Sequence, residues 1–138
     1  MSIEQRIKYY KESLDFFEDR MEKYRFLLDQ GKKAKPFPEE YRKETFIVSG
    51  CQANVWLVPE IKNNLLDFYF DSDAFISKGM ITIICDIYGG NEPQKILATD
   101  FDLLNSLDLN LLLTPGRQNG VFAMLKKIKE HAKSQVEK

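Results

Sequence analysis

Between residues 45 and 71, three short runs crowd β-branched and aromatic residues into segments of strand length: TFIVS (45–49), ANVWLVP (53–59) and LLDFYFD (65–71). The pieces joining them, Gly50-Cys51-Gln52 and EIKNN, are far shorter than the dozen or more residues that a parallel crossover needs. The spacing therefore predicts an antiparallel meander of three strands. In the third run Leu66, Phe68 and Phe70 alternate with Leu65, Asp67 and Tyr69, so one face is drier than the other.

Helical patterns flank this centre. Ile3, Ile7, Tyr10, Leu14, Phe17, Met21, Tyr24 and Leu28 recur at steps of four and three, which predicts one long amphipathic N-terminal helix. Ser2 and Gln5 have capping-box spacing at its start, and Gly31 reads as its stop. Bulky Tyr and Phe along the stripe favour packing against a domain over a coiled coil. Residues 31–44 carry Pro36 and Pro38 and read as a linker. Beyond the strands, Asp71, Ser72 and Asp73 offer N-cap chemistry to a helix marked by Ile76, Met80, Ile83 and Ile87 and stopped at Gly89-Gly90. Short helices follow at Pro93 and around Leu103–Leu107, a break at Thr114-Pro115-Gly116, and a last helix with Val121, Leu125, Ile128 and Ala132 on one face. The expected fold is α+β: a long N-terminal helix, a three-stranded antiparallel sheet, then C-terminal helices packed on one sheet face. The 138 residues fit one domain, 1–138.

Charge narrows the function. Twenty basic and twenty-one acidic residues leave a net charge of −1, so no bulk attraction to nucleic acid or an anionic membrane is expected. Residues 45–115 are acidic and 116–138 basic, the latter reading as the solvated face of the last helix. No apolar run approaches the about 20 residues of a membrane span, and MSIEQRIKYYKE has no signal-peptide core, so a cytoplasmic protein is expected. Two cysteines and one histidine are too few for a disulfide scaffold or a structural zinc site. A Ser-His-Asp hydrolase would have to recruit His131 without a nucleophile-elbow motif.

If a side chain does chemistry, a cysteine is the candidate. Cys85 lies in MITIICDIYG, the most apolar helix, and reads as core packing. Cys51 follows Gly50 between two strands, where a side chain projects from a loop tip. A reactive thiolate needs access and preferably a nearby positive charge; Arg117 in TPGRQNG is a plausible cation.

These residues carry a resemblance. Gly50-Cys51-Gln52-Ala53-Asn54-Val55-Trp56-Leu57 resembles the GCQSQVWL signature of the SufE family, the sulfur acceptors that serve cysteine desulfurases in iron–sulfur cluster assembly. Asp71-Ser72-Asp73-Ala74 with Lys78-Gly79 resembles the family's DSDA…(K/R)G stretch. Leu113-Thr114-Pro115-Gly116-Arg117-Gln118-Asn119-Gly120 resembles its L(T/S)PSRxNG segment, with Met124 at the matching place beyond. The blocks keep family order over roughly residues 10–135. Ala53 and Asn54 stand where the family has Ser-Gln, and Gly116 and Gln118 replace serines beside Arg117; Gly116 is expected to loosen the loop presenting Arg117.

The resemblance implies a carrier rather than an independent enzyme. Its partner would be a pyridoxal-phosphate-dependent cysteine desulfurase of the SufS or CsdA type, which leaves a persulfide on its own cysteine. Cys51 would take the outer sulfur, stimulate the desulfurase and pass the sulfur to a downstream iron–sulfur scaffold, with no cofactor or metal of its own. Gly50, Gln52, Asp73 and Arg117 are the implied binding residues; from the residues alone Asp73 reads first as a helix N-cap, and Trp56 and Val58 as core. Three rivals stay open: an IscU-like cluster scaffold, a thiol redox protein, although residues 51–54 read CQAN and not C-x-x-C, and a purely structural adaptor. Monomer or homodimer is left open.

Overall fold

In the computed structural model, which describes residues 1–137, the chain forms two helices, a strap over residues 33–46, a β-hairpin and five further helices. The Ser2 hydroxyl accepts from the Gln5 N–H at 3.1 Å and Gln5 Oε1 accepts from the Ser2 N–H at 2.8 Å, a complete capping box on α1 (Ile3–Phe16). The single long helix expected from the stripe does not form. Phe17 is extended, and Asp19 opens a second helix, α2 (Arg20–Lys32), by accepting from the Met21 N–H at 3.1 Å. The Lys23 ammonium donates to the Leu14 carbonyl at 2.8 Å and satisfies the end of α1. The break resets the helical phase. Helix α1 buries Ile3, Tyr10 and Leu14, whereas α2 buries Phe26, Leu27, Gln30 and Gly31 and leaves Met21 exposed. A stripe at steps of three and four is blind to a strong cap inside it.

Gly31 is not a stop. It lies within α2 where that helix crosses α3 (Phe75–Tyr88) at Gly79. A methyl group on Gly79 would stand 2.8 Å from the Leu27 carbonyl carbon, so this approach is open only to glycine. Helix α3 is the centre of the core: Met80, Ile81, Ile83, Ile84, Cys85, Ile87 and Tyr88 are all buried. Short helices α4 (Pro93–Leu97), α5 (Leu103–Ser106) and α6 (Leu109–Leu112) add Ile96, Leu103, Leu104, Leu109 and Leu112. The last helix, α7 (Pro115–Val136), adds Val121, Met124, Leu125, Ile128 and Ala132. Pro115 occupies the first turn and the Thr114 hydroxyl accepts from the Arg117 N–H at 3.4 Å, so α7 begins where the sequence breaks.

The sheet has two strands rather than three, β1 (Val55–Lys62) and β2 (Leu65–Ser72), antiparallel from Val55 opposite Ser72 to Lys62 opposite Leu65. Asn63 and Asn64 turn the hairpin with φ of 54° and 65°, a conformation asparagine tolerates well. The run 45–49 reaches the sheet only through a single bridge between Ile47 and Trp56. Ahead of that bridge Glu44–Phe46 form a 3₁₀ turn, and Phe46 packs edge-on against Tyr41 at 5.7 Å; these residues belong to the strap.

That strap covers the second face of the sheet. Leu57, Leu66 and Phe68 join the helices in one core, but Trp56 points the other way and is buried beneath Phe37 and Arg42. The Arg42 guanidinium lies 4.7 Å from the Trp56 ring centre and 5.1 Å from Phe37, and pairs with Glu39 at 2.9 Å and Asp71 at 2.8 Å. The linker expected at 31–44 is thus α2's last turn followed by a segment clamped to β2. No helix among the described residues is long and apolar enough to cross a membrane.

Candidate functional site

The chain enters β1 through a short loop, 49–53, held at both feet. At the first, the Val48 N–H donates to the Val55 carbonyl at 2.8 Å. At the second, Asn54 and Asp73 exchange three hydrogen bonds: Asn54 N–H to Asp73 Oδ1 at 3.0 Å, Asn54 Nδ2 to Asp73 Oδ2 at 2.9 Å, and Asp73 N–H to the Asn54 carbonyl at 3.1 Å. Gly50 turns the loop at φ +98°, where an L side chain is strained. Between these feet the tip lies on one flank of α7.

Three small residues of α7 make that flank, Gly116, Gly120 and Ala123. A Cβ on Gly50 would stand 3.2 Å from the Ala123 Cβ, and one on Gly120 would stand 3.8 Å from the Cys51 Sγ. The Cys51 thiol donates to the Gly120 carbonyl at 3.6 Å, and the residue is half-buried against the core. Burial pushes this thiol above the ordinary cysteine range, and no cation among the described residues draws it back. A thiolate facing the Gly120 carbonyl oxygen would be repelled, so the seated position holds a protonated, weakly nucleophilic sulfur.

The other expected residues fall into two groups. Gly50, Gln52 and Asp73 converge on the loop. Asp73 does not cap α3, whose N-cap is Ala74 without a side-chain bond; its carboxylate is engaged by Asn54. Arg117 stands apart. It lies in the first turn of α7 and not in a loop, its side chain is exposed, and it enters none of the ion pairs among the described residues. Gly116 likewise loosens nothing, being helical and packed against Gln52. Cys85 is buried in α3 and burial pushes its thiol well above the ordinary range, with Asp67 and Asp86 adding to the effect. His131 sits half-buried on α7, its pKa lowered by burial and then by Lys127. Among the described residues no three His, Cys, Asp or Glu side chains converge as metal ligands.

Residues 8–132 match the SufE family, described as an Fe-S metabolism associated domain. The chain belongs to the SufE family. It is 34% identical over 123 residues to an uncharacterized SufE-like protein of Rhizobium etli, covering 86% of this chain and 83% of that protein. It is 36% identical over 114 residues to a protein of Wigglesworthia glossinidia brevipalpis named cysteine desulfuration protein SufE, covering 81% and 79%. The solution structure of a hypothetical protein from Thermus thermophilus superposes with a TM-score of 0.77 and covers 100% of both chains; at 18% identity it speaks for the fold alone.

Several residues of this SufE-family site carry no obvious signal in the sequence. Asn54 reads as an ordinary strand residue, yet it fastens the loop to Asp73. Gly120 stands in the sequence only as the last residue of the LTPGRQNG block, and nothing there marks Ala123. The signal for Gly120 was the repetition of glycine at 116 and 120, four apart on one helix face, because each glycine costs a helix about 1 kcal/mol unless something approaches closely. Two clefts, of 940 and 650 Å³, open along α1–α2 and between the hairpin and α3; Cys51 lines neither.

Proposed function

We propose that this SufE-family chain is a sulfur acceptor and carrier that works with a pyridoxal-phosphate-dependent cysteine desulfurase. The Cys51 thiolate attacks the outer sulfur of the persulfide on the partner's cysteine. A Cys51 sulfur–sulfur bond forms, the partner's sulfur–sulfur bond breaks, and the partner's cysteine leaves as thiolate. The sulfane sulfur keeps its oxidation level, so no external oxidant or reductant is needed. Cys51–S–SH then hands the sulfur to an iron–sulfur scaffold by the same exchange, and docking accelerates the desulfurase.

The observation that carries this reading is the seating of Cys51 at the tip of a loop fixed at both feet. A carrier thiol has to resist oxidation between partners and still reach a donor sulfur. Arg117, exposed on the first turn of α7, is free to meet a partner carboxylate. Buried Cys85 leaves Cys51 without an accessible second thiol for a redox pair.

Intact mass after incubation with a matched desulfurase and L-cysteine tests the proposal. The expected result is a gain of one or more sulfur atoms, removed by reductant and absent in Cys51→Ser. No gain while the matched desulfurase is turning over would reject the acceptor reading.

A further inference from the structure

The amide of Gln52, next to the thiol, occupies the space that a side chain at position 116 would fill. An ideal Cβ on Gly116 would stand 2.6 Å from Gln52 Cδ and 2.8 Å from Oε1, with Nε2 nearer still. All three atoms of the amide therefore lie over the bare first turn of α7. Among the described residues the Gln52 amide makes no hydrogen bond, and the residue is exposed, so shape alone seats it there.

We infer that Gly116 is a positioning residue: its missing side chain is the seat into which Gln52 drops, and this contact is the catch that keeps the Cys51 loop closed. The feet of the loop are fastened by backbone and carboxylate hydrogen bonds that no motion of the tip needs to break. What holds the tip is weaker: the Gln52–Gly116 contact, the long thiol bond to Gly120 and the Gly50–Ala123 contact. Of the three, only the first involves a long flexible side chain, and a side chain at 116 removes it without touching the sulfur. Any residue but glycine at 116 expels the amide, and the loop spends more time with its thiol exposed. The effect follows from a shifted equilibrium between two loop positions, so it is read as a rate of thiol modification.

The inference deepens the acceptor reading, and its consequence for sulfur transfer rests on that reading; the catch itself is testable by thiol chemistry without any partner. Alkylation of Cys51 by iodoacetamide, followed by peptide mass, is compared in the wild type, Gly116→Ala, Gln52→Ala and the double variant. Gly116→Ala should react roughly three- to tenfold faster. Gln52→Ala should accelerate to a similar extent, and adding Gly116→Ala to it should change nothing further, because the two act through one contact. The melting temperature of Gly116→Ala should hold or rise, since alanine is the better helix former. An unchanged rate in Gly116→Ala, multiplicative acceleration in the double variant, or acceleration accompanied by a lowered melting temperature would each overturn the catch. Loss of sulfur uptake from a desulfurase with the catch intact would sink the acceptor reading instead.

Discussion

At Cys51, burial and protonation are set by the same few atoms. Burial disfavours the thiolate, and the Gly120 carbonyl accepts only from the protonated form. The folded-state pKa is raised, so the stabilising share of this group is complete below the ordinary cysteine range near about 8.5 and is lost as pH rises through the folded value. The rate of alkylation of Cys51 against pH should accordingly show a midpoint above that of a free cysteine, returning to about 8.5 in urea. A midpoint below that of free cysteine in the folded protein would mean that a cation activates the resting thiol after all.

Elements place the loop, and here the close crossing of α2 and α3 matters most. Gly79→Ala gains about 1 kcal/mol of helix propensity but drives a methyl group into the Leu27 carbonyl, where backbone on both sides has to yield. The net expectation is a loss of about 2 kcal/mol, seen as a lower urea midpoint with unchanged slope. The short-range devices of these helices were legible in the sequence: the Ser2–Gln5 box, the Pro93 start, the Gly89 stop and the alternation of β2 all fall where local chemistry puts them. Tertiary competition was not legible. The stripe over residues 3–28 hid a cap at Asp19; TFIVS has strand composition, but Phe46 finds Tyr41 before it finds the sheet; Gly31 looked like punctuation and is a crossing point. At the loop the cysteine announced itself, while its seat did not, because what makes the seat is atoms that Gly116 and Gly120 lack.

Over the whole molecule, the strap and the core are separate layers joined across the sheet by Asp71. That carboxylate accepts from Arg42 at 2.8 Å and from its own neighbour Ser72 at 2.8 Å, and lies 3.4 Å from the Lys78 ammonium. Burial alone would raise its pKa; the hydrogen bonds from Arg42 and Ser72 and the charges of Lys78 and Arg42 outweigh this and hold it below the usual carboxylate range. Its stabilising share is therefore present above the ordinary aspartate value near about 3.9 and is lost as pH falls through the lower folded value. Asp71→Asn should cost about 1–3 kcal/mol at pH 7, by urea unfolding, and the gap from wild type should close in acid. A gap of the same size at both pH values would show that the carboxylate's charge is not what fastens the strap.

The two fastened feet of the loop also set a length. Cys51 is three residues from Val48 and three from Asn54, and extended chain spans about 3.3–3.6 Å per residue, so the Cys51 Cα stays within roughly 10 Å of either foot. Such a tether is a short crane rather than a swinging arm. Under the acceptor reading, a donor and a recipient have to bring their sulfur chemistry to the same small opening beside α7. They then exclude one another by geometry, and cargo moves only after the first partner has left the berth.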